Sequence, residues 1–217
     1  AGYARINYLA GHGGFRLADV VSYERRHNEA NGENNLDGET YNCSWNCGEE
    51  GDTGHRSILS LRAKLIRNAL CFLLFAQGTP FLFMGDEYGK SGGGNNNPYC
   101  QDNEVTWLQW HLGARQKRQL LFTRSLIALR LSHPVLHRQA ECRIMDTINC
   151  GYPDLSYHGR EVWKPDYSYY VRHIGMMLCG LYEKNGSAAD DSFYLAFNMH
   201  WESHTFALPK LQDGFSL

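Results

Sequence analysis

The chain has 217 residues, the size of one domain or at most two. Its 21 Lys and Arg residues nearly balance 23 Asp and Glu residues, so no basic surface for nucleic acid is expected. Hydrophobic residues make up 43% of the chain, and the longest apolar run is Ala69–Ala76. The hydrophobic fraction is enough for a packed core, and the apolar run is far too short to cross a membrane.

The first segments predict a strand, a helix and a long loop. Residues 5–10 have the pattern of a short buried strand, and residues 15–27 have apolar side chains at helical spacing. The polar loop 28–52 is much longer than an ordinary connection, which is typical of functional loops. Because the chain opens almost directly on a strand and without Met, we predict that it is a fragment of a longer protein.

The following segments repeat this alternation. The strongest helical pattern is Ser57–Ala76, where leucines and other apolar residues recur at three- and four-residue steps. Phe81–Met84 is predicted to be a strand buried on both faces, followed by the polar loop 89–103 and a helix over Ala114–Leu131. Alternation of this kind over residues 1–135 predicts parallel β/α units, whose ligands bind at the carboxyl ends of the strands.

After His133 and Pro134 the pattern becomes antiparallel β. Residues 177–182 and 193–198 are predicted strands, and 205–208 is a candidate third. We therefore predict that residues 136–217 begin a β domain that is incomplete, because too few strands are available to close a sandwich.

The seven cysteines do not suggest a disulfide framework, since their number is odd and several lie in apolar runs. Cys43 and Cys47 have a spacing that could hold a metal, but no second Cys or His pair with zinc-finger spacing follows. The chain also opens without a signal peptide. We expect reduced thiols in a cytoplasmic protein, with no metal and no cofactor.

The two polar loops have the composition of a site for a neutral, hydroxyl-rich ligand such as a sugar. Amides and carboxylates can both satisfy sugar hydroxyls, and aromatic rings can stack on sugar faces. The alternative is that Asn and Gly only supply the backbone angles of long loops. The loop residues concerned are Asn34, Asn35, Asp37, Tyr41, Trp45, Asn95, Asn96, Asn97, Tyr99, Gln101, Asp102, Asn103, Glu104, Trp107 and Trp110.

Three residues at predicted strand ends are candidates for chemistry. Asp86 and Glu87 are adjacent and point opposite ways on an extended chain, so a structural role as a cap or ion-pair partner is favoured. His12 is a candidate ligand contact, with a structural role as the alternative. No Ser-His-Asp order or Rossmann pattern occurs, and Gly92–Asn95 lacks the Lys of a phosphate-binding loop.

An ordered series of specific motifs runs along the chain to about residue 210. It consists of Ile6–Tyr23, His27–Asn34, Tyr41–Gly48, Gln77–Pro80, Gly85–Glu87, Gly93–Asn103, His158–Gly159 and Trp163–Asp166. With these motifs the chain resembles the isoamylase-type enzymes that debranch glycogen and starch, in the alpha-amylase superfamily of glycoside hydrolases.

The resemblance implies an α/β fold in which residues 1–135 form the last two strand–helix units of a TIM (β/α)₈ barrel. Residues 136–217 would then be the start of the C-terminal antiparallel β-sandwich domain. The family hydrolyses α-1,6 branch linkages by a retaining mechanism with a carboxylate nucleophile and a carboxylic acid/base. In the family these two groups follow the fourth and fifth strands, so neither is present in this chain.

The resemblance also assigns site residues. The family's third catalytic carboxylate, an Asp that contacts sugar hydroxyls in the transition state, directly follows the motif's His and is Gly13 here. Losing such a contact costs a few kcal/mol, so a poor hydrolase is expected even at full length. His12 would contact the sugar in the −1 subsite. Further sugar contacts are expected from Asn97, Tyr99, Asp102 and Asn103.

Three hypotheses follow, all with a branched α-glucan as the ligand. The first is a fragment of a debranching enzyme, whose chain stops at Gly214–Leu217 although the family's β domain continues. The second is a catalytically inactive glucan-binding or assembly module. The third is one half of a split enzyme, completed by the missing N-terminal barrel portion. Two strand–helix units cannot close a barrel, so instability or aggregation of the isolated chain is expected.

Overall fold

The structure, a computed structural model, describes residues 5–211. These residues fall into two compact units, 5–129 and 130–211. The domain boundary that the sequence predicts, after residue 135, lies a few residues further along the chain. The predicted stop at Gly214–Leu217 lies outside the described residues.

The first unit is an α/β arrangement around one parallel strand pair. Strand β1 (Ile6–Tyr8) pairs with β2 (Thr79–Phe81) in parallel, with Ile6 opposite Thr79 and Tyr8 opposite Phe81. Helix α1 (Leu17–Val20) and helix α2 (Arg56–Phe75) lie between the strands in sequence, and α3 (Ala114–Ser132) follows β2. The α/β class, the parallel pairing and both long helices are confirmed.

Helix α1 is much shorter than the predicted helix over 15–27, so that prediction is wrong. The Tyr23 N–H still donates to the Asp19 carbonyl, but the carbonyls of Val20 and Ser22 accept from a neighbouring loop instead of from a further helical turn. The Trp45 N–H donates to the Val20 carbonyl at 2.9 Å, and the Gly51 N–H donates to the Ser22 carbonyl at 2.8 Å. Long-range loop contacts therefore override the local periodicity.

The second strand begins earlier than the predicted Phe81–Met84, because residues before Phe81 make the hydrogen bonds that fix its pairing with β1. The Thr79 N–H donates to the Arg5 carbonyl at 2.8 Å, and the Asn7 side-chain amide donates to the Gln77 carbonyl at 2.8 Å. Burial on both faces is also wrong for the described residues. Met84 is 61% exposed, because a sheet of two strands leaves much of its surface uncovered.

The core of the first unit lies along one face of α2. Ile66, Leu70 and Leu74 are buried there against residues of α1 and α3, each contributing about 1.5–3 kcal/mol by burial. The buried Arg62 on the same helix donates to the Gly51 carbonyl at 2.6 Å and to the carbonyls of Asn46 and Glu49. The end of the first long loop is thereby anchored to the helix.

The second unit is antiparallel β, as predicted. Strand β4 (His173–Leu178) pairs with β3 (Leu155–His158) on one side. On its other side β4 pairs with β7 (Phe193–Asn198). Strands β5 (Lys184–Asn185) and β6 (Ala188–Ala189) form a separate two-stranded hairpin. The described residues thus contain sheets of three and two strands.

Three details of this unit differ from the sequence prediction. The strand predicted at 177–182 ends at Leu178, because the chain turns through a short 3₁₀ helix at Gly180–Tyr182. Leu155–His158 is a strand that the pattern did not indicate. Residues 205–208 form no strand. The rings of His204 and Phe206 contact the His173 ring instead, so this segment is placed by ring packing rather than by backbone bonds.

We expect the isolated chain to self-associate. Ile6 and Tyr8 on β1 are 69% and 68% exposed, and strands with apolar faces and open edges are sites of association. Size-exclusion chromatography with light scattering measures this, and Ile6→Lys should reduce the associated fraction. Ile144→Lys, at an exposed position in the second unit, is the matched control. A monomer that melts in one cooperative transition would contradict the prediction.

Candidate functional site

The loop after β1 brings His12 to the carboxyl end of the parallel strand pair. His12 is exposed, and its ring meets the edge of the Phe83 ring, which follows β2, at 5.6 Å between centroids. The next residue, Gly13, is also exposed, and a Cβ placed on it would meet nothing within 4 Å. The structure therefore has space for a longer side chain beside His12.

A buried pair of asparagines joins the two long loops. The Asn96 N–H donates to Asn28 Oδ1 at 3.0 Å, and Asn28 Nδ2 donates back to Asn96 Oδ1 at 2.8 Å. Asn96 Nδ2 also donates to the Glu39 carbonyl and to Asn42 Oδ1, each at 2.8 Å. Every polar atom of the Asn96 side chain is thus satisfied by the first loop.

Asn96 also holds the His12 loop. The Gly14 N–H donates to the Asn96 carbonyl at 3.0 Å. Three segments that are distant in sequence therefore meet at one buried residue. The sequence places Asn96 among the polar loop residues but does not reveal this role. Its signal was only a run of asparagines, which cannot distinguish a buried junction from a solvated turn.

A second group of hydrogen bonds surrounds Asp37. Its Oδ2 accepts Asn31 Nδ2 at 2.8 Å and Asn97 Nδ2 at 2.9 Å. The hydrogen bond from Asn31, together with that from Asn97, holds the pKa of the Asp37 carboxyl below its ordinary value. Its Oδ1 is buried and has no hydrogen-bond partner among the described residues. Asp37 is therefore an ionised group with one free acceptor beside the second loop.

The predicted sugar contacts on the second loop differ in what they offer. Tyr99 is 75% exposed, so its ring is free to stack. Asp102 accepts Trp107 Nε1 at 2.8 Å. Asn103 accepts the Val105 N–H at 3.0 Å and donates to a neighbouring glutamine. The side chain of Asn97 is held by Asp37. Tyr99 is the contact candidate most available to a ligand.

Three carboxylates beside the site, the buried Asp19 and Asp86 and the half-buried Glu87, accept hydrogen bonds from neighbouring segments. Asp86 Oδ1 accepts the Leu17 N–H at 3.2 Å, at the start of α1, and Glu87 Oε2 accepts the Gly85 N–H at 2.7 Å. The capping role predicted for this pair is confirmed. Asp19, which no sequence motif singles out, accepts the Ser91 hydroxyl and the Gly92 N–H. Its only sequence signal is a single charge within the otherwise apolar run Leu17–Val21.

We expect Asp86 to make stability fall as pH rises from about 4 to about 7. Burial raises the pKa of Asp86 from 3.8 to about 7, so in this window the folded chain holds a proton that the unfolded chain has lost. Asp86→Asn should lessen this decline, because the amide does not ionise and its oxygen can still accept the Leu17 N–H. The part due to Asp19 remains, since burial raises the pKa of that carboxyl too. Thermal unfolding at pH 5 and pH 8, at low protein concentration, measures the difference.

Glu33→Gln, at an exposed position, is the control for Asp86→Asn and should leave the pH dependence unchanged. An Asp86→Asn chain that loses as much stability over the same pH range as the unchanged chain would contradict the assignment.

The described residues contain no group of three or more His, Cys, Asp or Glu side chains that could hold a metal ion. Cys43 is exposed and Cys47 is buried, and both are free thiols. In the part of the chain that the structure describes, no helix has the length and apolar character needed to cross a membrane.

Comparison with known proteins finds no matching family model but several similar proteins. The chain is 41% identical over 232 residues to the glycogen operon protein GlgX homolog of Mycobacterium tuberculosis (strain ATCC 25618 / H37Rv), covering 98% of this chain and 31% of that protein. It is 36% identical over 212 residues to the chloroplastic isoamylase SU1 of Zea mays, covering 97% of this chain and 25% of that protein. It thus spans less than a third of either relative's length.

Among solved structures, the chain resembles pullulanase type I from Bacillus subtilis str. 168 complexed with maltose. The TM-score is 0.53 at 20% identity, over 89% of this chain and 20% of that chain. The structural likeness shows that the two proteins share an α/β fold over the matched residues. By its sequence relatives the chain belongs to the isoamylase-type family of glycogen- and starch-debranching proteins, and the resemblance seen in the sequence is confirmed.

Proposed function

We propose that this chain is part of a glycoside hydrolase that cleaves α-1,6 branch linkages in glycogen- or starch-like glucans. One observation carries the proposal beyond family membership. The His12 loop and the second polar loop are fastened together through Asn96 beside the carboxyl end of two parallel strands, the place where α/β proteins bind ligands. A cytoplasmic location remains a prediction.

The fold assignment is part of this proposal. Each strand of the parallel pair is followed by a long helix, as in a (β/α)₈ barrel. The exposed apolar side chains of β1 are those that further barrel strands would cover. Residues 1–135 would then be the last two barrel units, and 136–217 the start of the C-terminal β domain. The missing N-terminal barrel portion is the implied partner.

In a retaining mechanism the nucleophile and the acid/base carboxylates would come from that missing portion. This chain would supply binding groups. His12 is placed to donate to or accept from a sugar hydroxyl, and the exposed ring of Tyr99 can stack on a sugar face. Gly13, at the position of the family's transition-state Asp, offers no side chain. We therefore assign glucan binding, not bond cleavage, to the residues present.

Affinity electrophoresis in gels containing glycogen tests the proposal, together with an assay of reducing ends. We expect the chain to be retarded by glycogen without releasing reducing ends, and Tyr99→Ala to lessen the retardation. Tyr169→Ala, at another exposed ring in the second unit, is the control. A chain that migrates equally with and without glycogen would overturn the assignment.

The fragment, split-enzyme and inactive-module hypotheses are distinguished by measuring cleavage when the missing barrel portion is supplied. Cleavage by the covalently continuous protein supports the fragment hypothesis, and cleavage after mixing two separate chains supports a split enzyme. Retardation without cleavage in both cases would favour an inactive glucan-binding or assembly module, for which Gly13 is the supporting feature.

A further inference from the structure

The two long helices carry an unusual charge distribution. Neither α2 nor α3 contains a single Asp or Glu, although acidic residues outnumber basic ones in the chain as a whole. The usual pairing of Arg or Lys with an acidic residue three or four positions away is therefore absent within both helices. Their basic residues are Arg56, Arg62, Lys64, Arg67, Arg115, Lys117, Arg118, Arg124 and Arg130.

A cleft of about 810 Å³ is lined by both helices within the first unit. Four arginines line it, Arg56 and Arg67 from α2 and Arg115 and Arg118 from α3, and Asp52 is the one acidic residue among its lining residues. Amide and hydroxyl side chains, the buried Lys90 and the apolar Leu59, Ala63 and Ile66 complete the lining. A cleft of this size is suited to a small molecule.

The spacing of the arginines is systematic. Arg56 and Arg67 are eleven residues apart, which is close to three full turns, so they lie on the same face of α2 about 16 Å apart along the helix axis. Arg115 and Arg118 are three residues apart and share a face of α3. The positive charges therefore form two rows along the cleft.

These four guanidinium groups are exposed and form no ion pair among the described residues. Other basic residues nearby already donate hydrogen bonds to backbone carbonyls. The buried Lys90 ammonium donates to the Glu104 carbonyl at 2.8 Å, and Arg62 donates to loop carbonyls. The cleft thus retains four free cations whose planar donors match the oxygens of a phosphate group.

We propose that this cleft binds a compact phosphorylated small molecule, such as a sugar phosphate. Two or more phosphate charges would be met by arginines from both rows, and the amide and hydroxyl groups would contact the remainder of the ligand. The site is separate from the His12 loop, and the proposal does not depend on glucan cleavage.

Isothermal titration calorimetry with pyrophosphate and with glucose 6-phosphate, at constant ionic strength, tests the proposal on the whole chain. We expect saturable binding of one molecule per chain. The double variant Arg115→Gln/Arg118→Gln should weaken it by about tenfold or more. Arg124→Gln lies on the same helix outside the cleft and is exposed, so it should bind as the unchanged chain does. Circular dichroism checks that all variants keep their helices.

Three results would overturn the assignment. One is no saturable binding. Another is equal weakening by Arg124→Gln and the double variant, which would indicate a general charge effect. The third is tighter binding of a short oligonucleotide than of either phosphate compound, which would indicate a macromolecular ligand. Glycogen retardation of the double variant, measured separately, should be unchanged, so failure here and failure of the proposed function are distinguishable.

Discussion

Under the proposed function, Gly13→Asp is expected to raise the debranching activity of a full-length protein by about 100- to 1,000-fold in kcat/KM. The reason is that a carboxylate beside His12 would accept hydrogen bonds from sugar hydroxyls in the transition state, a contribution of about 3–4 kcal/mol. The structure permits the change, because a Cβ at Gly13 meets nothing within 4 Å and Gly13 does not have a positive φ. Release of reducing ends from amylopectin measures it.

The matched control is Gly11→Asp. Gly11 lies in the same loop, has the same free space around a Cβ and lacks a positive φ, so the substitution adds the same charge at the wrong position. It should give no comparable gain. If Gly13→Asp leaves kcat/KM unchanged while glycogen binding is retained, the position does not carry the family's third carboxylate.

Asn96→Ala is expected to disconnect the two long loops. It leaves the Glu39 carbonyl and Asn42 Oδ1 without their donor and removes an acceptor from Asn28. Because unsatisfied buried groups cost more than an average hydrogen bond contributes, we expect a local loss of about 2–4 kcal/mol. Hydrogen–deuterium exchange of peptides over residues 28–42 should be about 30- to 700-fold faster, at 1.4 kcal/mol for each tenfold change.

Asn68→Ala is the control for this effect. Asn68 lies on the exposed side of α2, where alanine favours the helix, so exchange over residues 28–42 should not change. Equal exchange in the Asn96→Ala and unchanged chains would show that backbone contacts alone hold the loops together.

The parts of the fold with strong local signals were predictable. Helix α2 begins and ends within one residue of the predicted Ser57–Ala76, because its apolar face repeats over many turns and is buried. Helix α1 shows the opposite case. Its apolar spacing continues past Val20, but the carbonyls of Val20 and Ser22 accept hydrogen bonds from the N–H groups of Trp45 and Gly51. No local sequence pattern reveals such distant donors.

The meeting of the two strand ends and of the loops that follow them was predictable, but the hydrogen bonding within the loops was not. The sequence pattern predicts that His12 and the second loop each follow a strand. Because parallel strands bring their carboxyl ends together, His12 and the second loop are expected at the same end of the strand pair. Which of the loop amides are buried and which stay accessible to a ligand depends on tertiary contacts. Asn96 is a buried junction, whereas Asn97, the next residue, is only half-buried and donates to Asp37. Identical side-chain chemistry along an Asn-rich loop gives no sequence signal for that difference.

The Asn28–Asn96 junction also has a consequence for the folding pathway. It joins residues 68 positions apart, and the β1–β2 pairing spans a similar separation. Closing so long a segment costs chain entropy before any contact compensates it, whereas α2 can form from neighbours alone. We therefore expect α2 to form early and the junction late. A ligand held by these loops would then slow unfolding while leaving the folding rate nearly unchanged.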